Sequence, residues 1–199
     1  RQAVDAAIPN AEIRVTEAPG HARHLAKQAA EEGVQVLAAV GGDGTVHEVV
    51  DGLFDNDRPR APDLILGVVP IGTGSDFRRS LGAPDDLDQA LGLVANGPVR
   101  EIDVGHVTLT TSSGPHTERF INVAGFGANG EVVRQANQMN KRMGGKVTFF
   151  RASLKATLSY SPAEVALKWT DGGDAEHTWQ GPVFSVFVGN GAYCGGGMW

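Results

Sequence analysis

The sequence predicts an α/β fold in which a parallel sheet flanked by helices is followed by a β-rich, sandwich-like second domain, incomplete in this chain. Three observations predict it. The apolar runs Val34–Val40 and Leu64–Pro70 are short and nearly continuous, as strands buried on both faces of a parallel sheet are. Helix-spaced apolar residues alternate with these runs, the arrangement that produces parallel strands with covering helices. From Val99 onward the pattern changes to strand-like segments joined mostly by turn-rich connections. The change places a boundary near residue 105, giving domains 1–105 and 106–199.

Taken in order, Arg1–Ala7 reads as the end of a helix closed by Pro9-Asn10, and Glu12–Thr16 alternates like a short strand. Gly20–Glu32 is rich in Ala, Lys and Gln and reads as a helix. After the Val34–Val40 strand, Val46, Val49, Val50, Leu53 and Phe54 recur at helical spacing and leave His47, Glu48 and Asp51 on the opposite side. The Leu64–Pro70 strand is followed by a helix marked by Leu87, Ala90, Leu91, Val94 and Ala95, which ends near Gly97-Pro98. Strands are expected at Val104–Thr111, Arg119–Ala124, Ala163–Thr170 and Pro182–Gly189, interrupted by a helix over Lys146–Tyr160. The chain opens on Arg1 and stops just after a strand-like run, so a longer protein is expected around it.

Composition removes several classes. A net charge of -6 argues against nucleic acid and against strong electrostatic attachment to an anionic membrane. No run reaches the roughly 18 to 20 apolar residues that span a bilayer, and no signal-peptide pattern is present, so the cytoplasm is the expected location. Cys194 is the only cysteine, which excludes an internal disulfide. The six histidines form no zinc-like spacing with it. The 27 glycines fall at the ends of apolar runs, where turns are needed.

Two of those turns carry the chemistry. Gly41-Gly42-Asp43-Gly44-Thr45 follows a strand and opens a helix, which leaves main-chain N–H groups at the positive helix end and room for a phosphate to approach. The turn is neither a P-loop, since no Gly-Lys-Ser/Thr follows, nor a Gly-x-Gly-x-x-Gly fingerprint. Asp43 would repel a phosphate unless a cation or a hydrogen-bond donor lay between them, so it points to Mg²⁺; the alternative is a tight turn with Asp43 as a helix cap. The second turn, Gly72-Thr73-Gly74-Ser75-Asp76, leads into Arg78 and Arg79, whose guanidinium groups suit phosphoryl oxygens. A third string, Gly125–Gly130, does match Gly-x-Gly-x-x-Gly, yet no acidic residue stands about 20 positions later to hold a ribose.

These residues resemble a known family. Gly41-Gly42-Asp43-Gly44-Thr45, the following Val46–Leu53 and Pro70–Phe77 together resemble the diacylglycerol kinase catalytic domain, shared by bacterial lipid kinases and sphingosine kinases. Ile102–Gly105, Phe120–Gly127, Gly189–Gly191 and Gly195–Gly197 look like further landmarks of that family, and they make Gly125–Gly130 a strand end entering a helix. The resemblance implies ATP and Mg²⁺ as cofactors and transfer of the γ-phosphoryl group to a lipid hydroxyl, with diacylglycerol the expected acceptor. It places Thr16, Gly41, Gly42, Asp43, Gly44, Thr45, Val46, His47, Gly72 and Thr73 at the nucleotide, and Asp43, Asp76 and Asp103 as supporting acidic residues. It also implies a lipid partner met transiently at a membrane surface, with a homodimer possible.

Ser75 stands where the family usually has Asn. The family's opening strand would precede Arg1, and its general base and structural magnesium site would follow Trp199, so this chain alone is expected to be inactive. NAD kinases share the Gly-Gly-Asp-Gly-Thr turn, and a nucleotide-binding regulatory module without catalysis is the alternative of a different kind. The Gly72–Arg79 segment favours a lipid kinase.

Overall fold

The structure, a computed structural model, describes residues 2–71, 76–138, 159–195 and 197. Its elements are α1 (Gln2–Ala7), α2 (His21–Glu31), β1 (Val36–Gly41), α3 (Asp43–Gly52), β2 (Phe54–Asp55), β3 (Arg58–Pro59), β4 (Ile65–Pro70), α4 (Asp76–Leu81), α5 (Leu87–Asn96), β5 (Gly105–Thr111), β6 (Gly114–Phe120), β7 (Val123–Gly127), α6 (Ala128–Gln138), β8 (Ala163–Thr170), β9 (Glu176–Val183) and β10 (Ser185–Gly189). Packing divides the chain into Arg1–Val123 with Gly189–Trp199, and Ala124–Val188. The β5–β6 hairpin falls in the first of these units, where β6 is held against α3.

In the first unit β1 and β4 pair in parallel, from Val36 opposite Ile65 to Gly41 opposite Pro70. Side chains alternate across a strand, so each strand serves two layers. Leu37, Ala39, Leu66 and Val68 face a core built with Ala22 and Ala26 of α2 and Val46, Val49 and Val50 of α3. Val69 joins Ala90 and Leu91 of α5 in a second core, against which Ala3, Val4 and Ala7 of α1 pack. Helices therefore cover both faces of β4. They do not cover both faces of β1: Val36 and Val40 are 46% and 43% exposed, so the expectation of burial on both sides fails for this strand. Helix α5 packs on β4, which leaves that side of β1 open.

The polar side of α3 is not a solvated face. Glu48 accepts from the N–H groups of Gly20 (2.9 Å) and Ala22 (3.2 Å), satisfying the start of α2, where the cap residue Gly20 offers no side chain. Asp51 pairs with Arg23 at 2.7 Å and accepts from the Arg119 N–H of β6 at 3.3 Å. His47 lies 3.5 Å from Glu118, which also holds His116 at 3.0 Å. Through these contacts α3 binds α2 on one flank and β6 on the other.

Other differences have local causes. Glu12–Thr16 forms no strand; Arg14 instead bridges Glu12 (2.7 Å) and Glu32 (2.6 Å), so side chains rather than a ladder hold the segment to the end of α2. The expected strand Arg119–Ala124 is divided at Ile121-Asn122 between β6 and β7, and Pro182–Gly189 is divided at Phe184 between β9 and β10. The β2–β3 pair was not foreseen. Of the helix expected over Lys146–Tyr160, residues 146–158 lie outside the described residues.

In the second unit β8 and β9 form an antiparallel hairpin from Ala163 opposite Val183 to Thr170 opposite Glu176, and β7 pairs with β10. Gly127, at φ 97°, ends β7, and α6 begins at the next residue with the Ala128 N–H bound to the Phe184 carbonyl at 2.8 Å. Gly125–Gly130 is thus a strand end entering a helix, as the family resemblance implies. The unit is β-rich, and its described strands pair two by two.

Two outcomes follow from the α2–α3–β6 junction. A Cβ on Gly52 would collide with the Arg23 carbonyl, so Gly52→Ala should destabilise the protein by about 1–3 kcal/mol in urea unfolding. The hydrogen bond from His116, helped by His47 and Arg23, holds the Glu118 carboxyl below its ordinary 4.5. A depressed carboxylate adds stability above the unfolded value and loses it as pH falls through the folded one. Urea midpoints below pH 4.5 should therefore fall less steeply in Glu118→Gln than in the parent.

Candidate functional site: the glycine turn and its acidic cluster

Strand β1 delivers the chain to Gly41 and Gly42, and α3 begins at Asp43. Gly41 must lack a side chain because Thr45 lies over it: a Cβ there would sit 2.6 Å from Thr45 Oγ1. Gly42 caps the helix in extended geometry (φ -92°, ψ -177°), and its carbonyl accepts from Thr45 (3.0 Å) and Val46 (3.1 Å). Those two amides are consumed within the turn. Asp43 and Gly44 occupy the first two helical positions, whose N–H groups have no intrahelical acceptor. Among the described residues, nothing lies within 4 Å of where a Cβ on Gly42 or Gly44 would be.

Asp43 does not stand alone at this end. Its Oδ2 accepts from the Asp76 N–H at 3.1 Å and its Oδ1 from the Phe77 N–H at 3.3 Å, so it also caps α4. Of the two roles the sequence leaves open for this carboxylate, magnesium support and a helix cap, the hydrogen bonds show a cap, made on α4 rather than on its own helix. Burial pushes the Asp43 carboxyl above its ordinary value, while the two N–H donors pull it back. Asp76 is buried and paired with Arg79 at 2.7 Å. Each ionised carboxylate oxygen keeps a further lone pair after accepting one such bond.

The remaining expected residues divide plainly. The structure brings Asp43, Asp76 and Arg79 together with Gly41–Thr45. Val46 is 2% exposed with its N–H bound to Gly42, so neither its side chain nor its amide is offered to a ligand. His47 engages Glu118, and Thr16 is exposed in the extended segment before α2. Arg78, expected to offer charge to phosphate, is tied instead to the Ala83 carbonyl (2.6 Å) and Asp85 (2.8 Å), where it closes the end of α4. Gly72, Thr73, Gly74 and Ser75 lie outside the described residues. Asp103 joins the network through its carbonyl, which accepts from Asn190 Nδ2 at 2.7 Å.

Reading the sequence missed the polar residues behind this cluster: Ser80, Asn122 and Asn190. Two of them sit in stretches the sequence does single out, Phe120–Gly127 and Gly189–Gly191, but nothing in those stretches says which side chain reaches α4. A cavity of about 630 Å³ in the same unit is lined by Phe54, Phe77, Leu81, Arg100, Asp103 and Asn190, among others, and by none of residues 41–45. Among the described residues, no group of three or more His, Cys, Asp or Glu could hold a metal by itself. No helix of the described residues is long and apolar enough to cross a membrane.

Comparison with known proteins assigns this arrangement to a family. The family model for the diacylglycerol kinase catalytic domain matches residues 1–107. A diacylglycerol kinase of Bacillus subtilis (strain 168) is 37% identical over 156 residues, covering 77% of this chain and 47% of the relative. A protein of Cronobacter sakazakii (strain ATCC BAA-894) named probable lipid kinase YegS-like is 32% identical over 187 residues, covering 94% of this chain and 58% of the relative. The crystal structure of a diacylglycerol kinase from Bacillus anthracis str. Sterne superposes with a TM-score of 0.65 at 26% identity, over 98% of this chain and 57% of that one. The chain thus spans about half the length of the curated relatives it matches. With a glycine turn opening a helix, a parallel sheet behind it and a family match over more than half its length, the chain belongs to the diacylglycerol kinase catalytic domain family.

Proposed function

We propose that this chain is the nucleotide-holding part of an ATP-dependent lipid kinase that transfers the γ-phosphoryl group to a lipid hydroxyl, diacylglycerol being the preferred acceptor. The observation that carries the reading is the Gly41–Thr45 turn: space beside Gly42 and Gly44 unfilled by the described residues, helix-start N–H groups on one side and the Asp43 carboxylate on the other. In the transfer, the lipid oxygen bonds to the γ-phosphorus as the bond to the ADP oxygen breaks, and the hydroxyl proton leaves to a base. There is little covalent work for the protein in such a step, so positioning and charge neutralisation do most of it.

The residues fit the cofactors in a definite way. The Asp43 and Gly44 N–H groups suit phosphate oxygens, and the bare glycines let those oxygens approach the main chain. Magnesium ordinarily takes one or two carboxylates together with substrate phosphates rather than an all-protein cage, which agrees with the lack of a three-residue cluster among the described residues. Asp43, with lone pairs left over, is the residue we assign to it; bound there, the ion would neutralise phosphate charge. Arg79 balances Asp76 and leaves Asp43 as the anion facing the turn. Thr16 and the Gly72-Thr73 stretch remain candidates for the nucleoside side. We assign the lipid to the β-rich remainder of the protein, at a membrane surface reached from the cytoplasm.

The assay is direct. Full-length protein given labelled ATP with diacylglycerol, sphingosine or NAD should label diacylglycerol. Label in NAD alone would overturn the lipid reading, and ATP binding with no transfer to any acceptor would favour a regulatory module.

Gly44→Ala separates a ligand role from a structural one. Among the described residues the added methyl meets no atom within 4 Å outside its own helix backbone, and it sits in a helix, so unfolding free energy should hold or rise by up to about 1 kcal/mol. ATP affinity, read by calorimetry, should nonetheless fall at least about tenfold, equivalent to ~1.4 kcal/mol, because the methyl occupies the phosphate's approach.

A further inference from the structure

We propose that Asn122, acting through Ser80, and Asn190, acting through the Asp103 main chain and the Asn122 carbonyl, are positioning residues for the acidic pair at the glycine turn. This inference rests on the nucleotide-and-magnesium reading of that turn.

Four separate stretches of chain meet at these side chains, all within the first packing unit. Asn122 sits in the break between β6 and β7. Its carbonyl accepts from the N–H groups of Asn190 (2.7 Å) and Gly191 (2.8 Å). Its Nδ2 donates to the Tyr193 carbonyl at 2.9 Å, and its Oδ1 lies 3.3 Å from Ser80 Oγ on α4. Ser80 Oγ accepts from the Ala192 N–H at 3.1 Å and lies 3.2 Å from the Asp76 carbonyl, so its single proton is shared between that carbonyl and Asn122. Asn190 Nδ2 donates to the carbonyls of Asp103 (2.7 Å) and Ile121 (3.0 Å). Gly191 closes the junction, since any Cβ there would overlap Asn122 Oδ1.

The consequence is positional. The Asp76 and Phe77 N–H groups that hold Asp43 belong to α4, a helix of six residues with no length to fix its own orientation. Phe77 packs its inner side into a core that also holds Ile121 and Val104, and Arg78 ties its far end, but among the described residues no hydrogen bond of either reaches the segments that carry Asp103 and Asn122. The Asn122–Ser80 contact does, and Asn190 fixes the Asp103 main chain to the same junction. A shift of α4 would withdraw the amides from Asp43 and change where its remaining lone pairs point. Outer partners of this kind commonly alter metal affinity by about 10–100-fold when removed.

The test uses full-length protein and reads the Mg²⁺ concentration that half-saturates ATP binding, by calorimetry, beside turnover. Asn122→Ala and the milder Ser80→Ala should each raise that concentration, Asn122→Ala by about tenfold. Asp86→Ala is the comparator: it removes the α5 cap, where Asp86 accepts from Gln89 at 2.9 Å, and lowers stability away from the junction. It should leave Mg²⁺ dependence unchanged. The inference is overturned if Ser80→Ala and a folded Asn122→Ala keep the parent's Mg²⁺ dependence, or if Asp86→Ala shifts it equally at a matched melting temperature. Should Asn122→Ala not fold, Ser80→Ala decides alone. Parent protein that binds Mg²⁺ and ATP but phosphorylates no lipid would remove the lipid reading and leave this one standing; absent Mg²⁺-dependent ATP binding would remove both.

Discussion

The Asp43 carboxylate joins the start of one helix to the start of another, and the candidate site depends on that link. It leaves the α3 turn and receives the first two amides of α4, at 3.1 and 3.3 Å. Hydrogen bonds to a charged group contribute about 1.5–3 kcal/mol each, more than neutral ones. The link also sets register: β1 feeds α3, β4 leads toward α4, and the two strands are already paired residue for residue up to Gly41 opposite Pro70. A side-chain bridge one residue past the helix cap therefore extends the order of the sheet into the turns above it. Phe77, adjacent to the bridge, packs into the core of α2, α3 and β1, so the same residue whose amide holds Asp43 is anchored by burial.

Long-range polar contacts complete what the apolar pattern begins. The apolar stripe of α3 explains how the helix lies on β1, but it leaves rotation and axial position loosely defined. Glu48, Asp51 and His47 remove that freedom by reaching the first turn of α2, Arg23, the β6 main chain and Glu118. Glu48 is the clearest case, because it supplies from another helix the cap that Gly20 cannot.

The periodic part of this architecture was legible in the sequence. Spacing alone identifies Val46, Val49 and Val50 as core, places β4 and α5 to within a residue or two, and marks Gly41–Thr45 as a turn between strand and helix. Partner choice was not legible, because it depends on residues far apart in sequence. Arg78 and Arg79 read as equivalent charges, yet one closes its own helix end and the other balances Asp76. The Arg119–Ala124 run reads as one strand because Phe120, Ile121 and Val123 suit a strand, while Asn122 bends away to serve the 190–193 segment. Burial of β1 was overestimated for a related reason: an apolar run reports what a strand can bury, and α1 and α5 happen to cover only its neighbour.

Charge at the turn decides what kind of ligand can rest there. Asp43 and Asp76 bring two negative charges and Arg79 one positive charge within a short distance. Main-chain amides soften this balance, but two of them already point at Asp43. Burial disfavours the ionised form of Asp43 further, so the site is costly to keep charged without a cation. Bringing a polyphosphate alone to the same place would raise that cost, whereas a divalent ion lowers it for both partners at once. Under the proposed function, nucleotide and metal would consequently bind here as a coupled pair, each strengthening the other, which ties that function to how firmly α4 holds Asp43 in place.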